Sequence, residues 1–369
     1  MNSTRATFCP KIFLDTPRIF YSRKNTDWKL KLTLARELSE MRLHLPSSLL
    51  YTVVANLQEL LYRYIPKKLR GVWMRSCSRL RGILLRKEGA EIVIAQGWDP
   101  PINGEYKLLW ETYFLPPQAN RDKIENFVRG GSNIWIRQME RYGNCAWRIA
   151  VRGSASVQCL RKMYPEFSDK IVDLPFVQPE YNIISESEIE SKHSKDDVEI
   201  VFVGREAKRK GLEYLLCALQ MIRQSGIRNF SFTIISSMSD GKIPLPNVPW
   251  ISYYKELPHS EVMTILRRAQ IFAMPSKFES YGLAYLEAMA SGCVVVLRNQ
   301  DPQREFVAAG EAGVCVDENS IESIKEGLSE LITKRDTRMR LAQSALQRYK
   351  CCFSQEVIRK RWIECLLGL

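Results

Sequence analysis

At 369 residues with 45% apolar side chains, the chain is long and apolar enough for two domains of ordinary size, which excludes a disordered segment or a small disulfide-stapled scaffold. Lys and Arg outnumber Asp and Glu 54 to 41, and the resulting +13 leaves an acidic membrane surface or nucleic acid as possible polyanionic partners. Three histidines with no close pair, and ten cysteines with no Cys-x2-Cys spacing, argue against a zinc site and against a disulfide framework.

No secretory signal is legible at the start, and the cysteines read as reduced, mostly buried thiols. No window reaches eighteen predominantly apolar residues; the best, 43–58, is interrupted by His44, Pro46, Ser47, Ser48 and Asn56. The expectation is a cytoplasmic protein, soluble or peripheral on the inner face of the membrane.

In chain order, residues 11–15 predict a first strand, 16–24 a connecting loop and 28–38 an amphipathic helix. Residues 60–87 carry Arg63, Lys67, Lys68, Arg70, Arg75, Arg79, Arg81, Arg86 and Lys87 without a single acid. At about 100° per residue, Leu69, Val72, Trp73, Cys77, Leu80, Ile83 and Leu84 share an arc of roughly 140°. A basic amphipathic helix follows. Two readings stay open for it: the apolar arc packs on the first sheet while the cations face water, or residues 63–87 meet an anionic membrane surface. Nucleic acid is disfavoured as a partner, because no aromatic-interleaved platform accompanies the charge.

Residues 91–96, 149–154 and 170–175 predict further strands, and their alternation with helices implies a parallel sheet. The polar run 185–197 reads as a linker. Beyond it, Glu199-Ile-Val-Phe-Val-Gly204 is a buried strand ending in glycine, followed by Arg205, Lys210-Gly211 and the helical spacing Leu212, Leu215, Leu216, Leu219. Arg205 and Lys210 therefore sit on the loop at the carboxyl end of a strand, where doubly wound domains bind ligands. Two fixed cations there suit a diphosphate, although Lys208 and Arg209 make a solvated basic loop an equal reading.

Residues 274–292 combine an apolar strand end, a Ser280-Tyr-Gly282-Leu283 turn and a helix with Leu283, Leu286 and Ala290 on one face. Gly282 lets backbone N–H groups approach a ligand, and a helix N-terminus favours phosphate. Glu287 lies at most about 8 Å along the axis from Gly282, and Glu279 stands on the loop before it. Two carboxylates flanking an anion-binding helix end suit a molecule with hydroxyls and phosphates, such as a nucleotide sugar; the helix alone fits equally a capped core helix with two solvated acids. Residues 321–331, 337–349 and 354–367 predict three closing helices, the last begun by Phe353 as staple and Ser354 as cap.

Together, Phe-Val-Gly204-Arg205 with Lys210-Gly211 and Pro-Ser-x2-Glu279-x2-Gly-Leu-x3-Glu287-Ala-Met-Ala-x-Gly resemble the retaining glycosyltransferases of family four, glycosyl transferases group 1, over roughly residues 198–350. The resemblance implies an α/β, GT-B architecture: two Rossmann-like domains facing each other across a cleft. Residues 1–185 would be the acceptor domain, 198–350 the nucleotide-sugar donor domain, and 351–369 a helix crossing back, sealed by Val357, Trp362, Cys365 and Leu366. By resemblance, Arg205 and Lys210 hold the donor diphosphate, and Glu279 accepts hydrogen bonds from the sugar. Gly204, Ser280, Gly282 and Leu283 line the donor, with Glu287 on the ribose.

The family implies transfer with retention to a saccharide or lipid-linked glycan, with no covalent intermediate, no bound metal and no cofactor beyond the nucleotide-sugar co-substrate. Two departures concern the first domain. The glycine-rich loop after strand one is replaced by residues 16–24, and a donor-facing histidine has no counterpart near Glu111 and Tyr113. Asp15, Asp99 and Glu111 are candidate acceptor-orienting acids, each equally readable as a strand-end cap. The rivals are a sugar-nucleotide epimerase, a phosphorylase, for which no Schiff-base lysine can be assigned, or a non-catalytic donor-binding or membrane-docking subunit.

Overall fold

The computed structural model describes residues 19–22, 43–44, 50, 54, 64–87, 89–96, 100–103, 105–111, 139–176, 181–279, 281–317 and 320–368. They form two parallel six-stranded sheets. The first contains β1 (Ile19–Ser22), β2 (Leu43–His44), β3 (Ile92–Gln96), β4 (Lys107–Glu111), β5 (Arg148–Val151) and β6 (Ile171–Asp173), in the order β2-β1-β3-β4-β5-β6. The second contains β7 (Val198–Val203), β8 (Phe230–Ile235), β9 (Ile251–Tyr254), β10 (Ile271–Ala273), β11 (Val294–Arg298) and β12 (Val314–Val316), in the order β12-β11-β10-β7-β8-β9. Strands covered on both faces read as apolar runs, and β11 is buried at every position. Because the chain leaves β7 in one direction and returns at β10 on its other side, the strand order reverses between these two. In doubly wound domains the carboxyl ends of the strands at such a reversal are where ligands bind.

Helix Leu212–Gln224 presents Leu212, Leu215, Leu216, Leu219 and Ile222 to the second core at the predicted spacing. The first sheet has two cores, one on each face. Leu85, Val93, Trp110, Tyr142 and Leu160 fill one; Ile92, Ile94, Leu109 and Ala150 fill the other, closed by Ile358, Trp362 and Leu366 of helix Gln355–Leu367. Trp362 Nε1 donates to the Pro175 carbonyl at 2.8 Å. Ile358 takes the buried place expected of Val357, and Cys365 only borders the contact.

Several sequence expectations are corrected. The predicted strand 11–15 and helix 28–38 lie outside the described residues, whereas the stretch read as a loop contains β1, whose Ile19–Ser22 pair in register with Ile92–Ala95. The supposed linker 185–197 is mostly helix Glu186–His193. Ser185 caps it, accepting from Glu188 N while the Glu188 carboxylate accepts from Ser185 N, and Ile189 is buried in the second core.

The basic helix exists as Lys67–Lys87, but its buried face is rotated from the arc its apolar periodicity marks, sharing only Cys77 and Leu84 with it as buried residues. Leu69, Val72, Leu80 and Ile83 are exposed, while Cys77, Ser78, Arg81, Leu84 and Leu85 are buried. The reason is backbone proximity. A Cβ on Gly82 would lie 1.8 Å from the Ile102 carbonyl oxygen, Ile102 N donates to Ser78 O at 3.2 Å, and the Ser78 hydroxyl donates to the Pro100 carbonyl. Small residues, rather than the leucines, decide which side can meet the loop at 100–102.

Candidate active site

Two loops tied to each other stand at the carboxyl ends of β7 and β10. After β7, Gly204 N donates to Ile235 O at 3.0 Å, and the chain turns through Gly211, whose φ of +81° and closeness to Pro275 admit no side chain: a Cβ would stand 2.3 Å from the Pro275 oxygen. After β10, Lys277 N donates to Arg209 O at 2.8 Å, locking the second loop against the first. Buried hydrogen bonds hold that second loop from below. Tyr285 Oη donates to Met274 O at 2.8 Å, and Gln303 Nε2 donates to Ser276 O at 2.9 Å.

Within this frame the Lys210 side chain lies across Gly204, since a Cβ there would meet Lys210 Cδ at 2.2 Å. Its Nζ is 3.3 Å from Glu279 Oε1 and 3.4 Å from Met274 Sδ. Glu279 is 7% exposed. The same Oε1 accepts from Ser276 Oγ at 3.0 Å and pairs with Arg209 Nη1 at 3.4 Å. Arg209 also donates Nε to Glu206 at 2.8 Å and reaches the Phe278 carbonyl. Two cations and a hydroxyl thus converge on one oxygen of a buried carboxylate. The structure therefore brings Gly204, Lys210 and Glu279 into contact.

Arg205 stands at the rim. It is exposed, and among the described residues its guanidinium has no partner, leaving it available to a ligand anion. Gly282, with φ +69°, precedes helix Leu283–Ala290 without a side-chain cap, so the first-turn N–H groups of that helix have no capping side chain. Leu283 is 38% exposed. Glu287 faces other partners: Oε1 lies 3.0 Å from His259 Nε2 and 3.5 Å from Tyr181 Oη. Ser280, Asp15 and Asp99 lie outside the described residues.

Glu111 is 4% exposed at the end of β4 and accepts from Arg152 Nη2 at 2.6 Å. Its carboxylate thus pairs with a buried guanidinium at the carboxyl end of the first sheet. Arg152 in turn lies 3.3 Å above the Phe176 ring, and Phe176 meets Tyr281 edge-on at 5.2 Å. A contiguous line of contacts joins the first sheet to the loop carrying Glu279.

Arg209, Ser276, His259 and Tyr181 were not singled out from sequence. Ser276 lies within the Pro-Ser motif and Arg209 beside Lys210, so a signal existed for both; His259 and Glu287 are 28 positions apart and give none.

Residues 184–348 match the family model for glycosyl transferases group 1. Over 114 residues the chain is 32% identical to D-inositol 3-phosphate glycosyltransferase of Corynebacterium urealyticum, covering 31% of this chain and 27% of that protein. A glycosyltransferase from Rickettsia africae superposes with a TM-score of 0.66 at 14% identity, over 95% of this chain and 98% of that one. HepE of Anabaena, solved with UDP and glucose, does so with a TM-score of 0.61 at 12% identity, over 95% and 99%. The chain spans about half or less of the length of the curated relatives it matches. The structural likeness establishes the fold, a GT-B pair of Rossmann-like domains.

Proposed function

We propose, from the match of residues 184–348 to the glycosyl transferases group 1, that the chain is a member of that family and moves a sugar from a nucleotide-sugar donor to a saccharide or lipid-linked glycan acceptor, with retention of configuration. The observation that carries this reading is the contact between Lys210 Nζ and Glu279 Oε1 at the strand-order reversal, beside the unpartnered Arg205. In this reading Arg205 and Lys210 bind the diphosphate and neutralise the charge that grows on it as the anomeric C–O bond breaks. Gly204, the backbone at Gly282 and Leu283, and Ser280 line the donor.

Glu279 accepts hydrogen bonds from the donor sugar. It is already held by Ser276, Arg209 and Lys210, so it orients the sugar from a fixed position. The acceptor oxygen bonds to the anomeric carbon on the face the phosphate leaves, and the acceptor proton passes to the departing phosphate oxygen. No covalent bond to Glu279 forms, and neither a metal nor a further cofactor takes part. The UDP and glucose bound by HepE support the donor class.

A second component concerns location, cytoplasmic and peripheral to the inner face of a membrane. No helix among the described residues is long and apolar enough to cross a bilayer. Helix Lys67–Lys87 turns Leu69, Val72, Leu80 and Ile83 outward beside Arg79, Arg86 and Lys87, a surface suited to anionic lipid. Arg79→Glu with Arg86→Glu should abolish co-sedimentation with phosphatidylglycerol vesicles; unchanged binding would remove this component.

The donor reading is tested by thermal unfolding against UDP-, GDP- and ADP-sugars, since a ligand at 100 times its dissociation constant stabilises by about 2.7 kcal/mol. Stabilisation by one of them, lost in Arg205→Ala, together with loss of transfer in Lys210→Ala and Glu279→Ala, is the expected outcome. Near wild-type turnover in either of the last two would sink the site assignment.

A further inference from the structure

The carboxylate of Glu287 already has a partner in the absence of any ligand, and that partner titrates. His259, the first residue of helix His259–Arg268, places Nε2 3.0 Å from Glu287 Oε1, and its side chain is 59% exposed. Tyr181 Oη approaches the same oxygen at 3.5 Å. Tyr181 cannot change charge here, because burial and the neighbouring carboxylate push its phenol well above the ordinary range. His259 can, and the hydrogen bond to Glu287 raises its pKa from the usual histidine value.

The remaining charges around this pair are accounted for by the elements that pack on the helix. Glu188 is taken by Arg267 at 2.6 Å, and Glu199 of β7 by Arg268 at 2.8 Å. On the chain around His259 itself, Lys255, Glu256 and Glu261 are exposed to solvent. Helix Leu283–Ala290 contributes Glu287.

Resting on the donor-site reading above, we infer that His259 is a further determinant of nucleotide affinity, acting through Glu287. Protonated, the imidazolium holds the carboxylate in an ion pair and competes with the ribose hydroxyls that need the same oxygens. Neutral, it gives up that hold, and the carboxylate can accept both hydroxyls. Nucleotide binding thereby expels a proton, and affinity rises with pH through the titration of His259.

The test is calorimetric titration of the full chain with UDP-glucose, GDP-mannose and ADP-glucose at about pH 6 and about pH 8, a window set by histidine chemistry. Sugar esters of diphosphates keep constant charge across it, so the ligand contributes no slope. His193 is buried and held down to about 4, below the window, and His44 lies on β2 of the first sheet.

Wild type should bind one of the three roughly tenfold more tightly at the higher pH for each unit by which binding lowers the His259 pKa. His259→Ala should bind tightly at both values and His259→Lys weakly at both, with unchanged thermal stability in the absence of ligand. A wild-type affinity flat with pH, an alanine variant that keeps the slope, or a lysine variant as tight as the alanine one would each overturn the inference while leaving the donor site in place. Failure of all three nucleotides to bind wild type at either pH would remove the donor-site reading itself, and this inference with it.

Discussion

The carboxylate of Glu305, in the second domain, caps the helix that begins beside Ala155 in the first. Its two oxygens accept from Ser154 N at 3.0 Å and Ala155 N at 2.8 Å, at the start of helix Ser154–Met163, which has no side-chain cap of its own. Beside it, Asp173 accepts from Gly153 N at 2.8 Å and pairs with Arg361 at 2.8 Å, and Arg348 Nε donates to Phe306 O at 2.8 Å. A negative group at a helix N-terminus is favourable, and here it spans the boundary between the domains. Glu305→Ala should lower unfolding stability by about 1–2 kcal/mol, and Glu305→Gln by less than half of that, in denaturant titrations. Equal stability of Glu305→Ala and wild type would show that the cap contributes nothing.

Gly204 and Lys210 are coupled by packing. Placing a methyl group 2.2 Å from Lys210 Cδ forces the lysine off its path to Glu279. Gly204→Ala should reduce kcat/KM by about a hundredfold, the usual consequence of misplacing a charged group by an ångström, and leave thermal stability nearly unchanged. A variant with wild-type transfer would show that the lysine position seen here is not the one used.

The seating of helix Lys67–Lys87 yields an ordered pair of expectations. Leu85 is fully buried and Leu80 is 39% exposed. Leu85→Ala should cost about 2–5 kcal/mol, and Leu80→Ala less than about 1 kcal/mol. The periodicity of the sequence alone ranks them the other way, so equilibrium unfolding of the two variants decides which face is inside.

His193 sets an acid limit on the second domain. It is buried, its Nε2 lies 2.9 Å from Gly292 O, and burial holds its pKa down to about 4. The folded value lies below the unfolded one, near 6.5 on the usual scale, so the unfolded chain binds the proton first as pH falls. The neutral ring therefore contributes its full stability above about pH 6.5, and this is lost progressively down to about pH 4, on the order of 3 kcal/mol. His193→Gln should show a smaller drop over the same interval. An identical drop would assign the acid sensitivity to other groups.

What could be read from the chain divides along physical lines. β7, Gly204 and helix Leu212–Gln224 were legible because an apolar run, a glycine and a periodic face lie consecutively, and the strand-helix-strand unit around Glu279 is similarly local. The seating of the basic helix was not legible. Hydrophobic periodicity counts side chains, whereas Gly82 and Ser78 settle the matter through backbone contact with residues 100 and 102. The capping box at Ser185 and Glu188 was written in the sequence and was outweighed by the polar composition around it. Among the cations after Gly204, only three-dimensional placement separates Arg209, which holds Glu279 together with Lys210, from Arg205, which faces the open rim.

The packing of Trp362 and Ile358 against the first sheet has a consequence for how the protein comes to exist. A nascent chain emerging at roughly 5–20 residues per second makes β6 on the order of ten seconds before helix Gln355–Leu367 follows, because nearly the whole second domain lies between. During that interval Ile92, Ile94, Leu109 and Ala150 lack the cover that Ile358, Trp362 and Leu366 give them. The half made first is thus the half finished last, because its second core closes only when the final helix arrives.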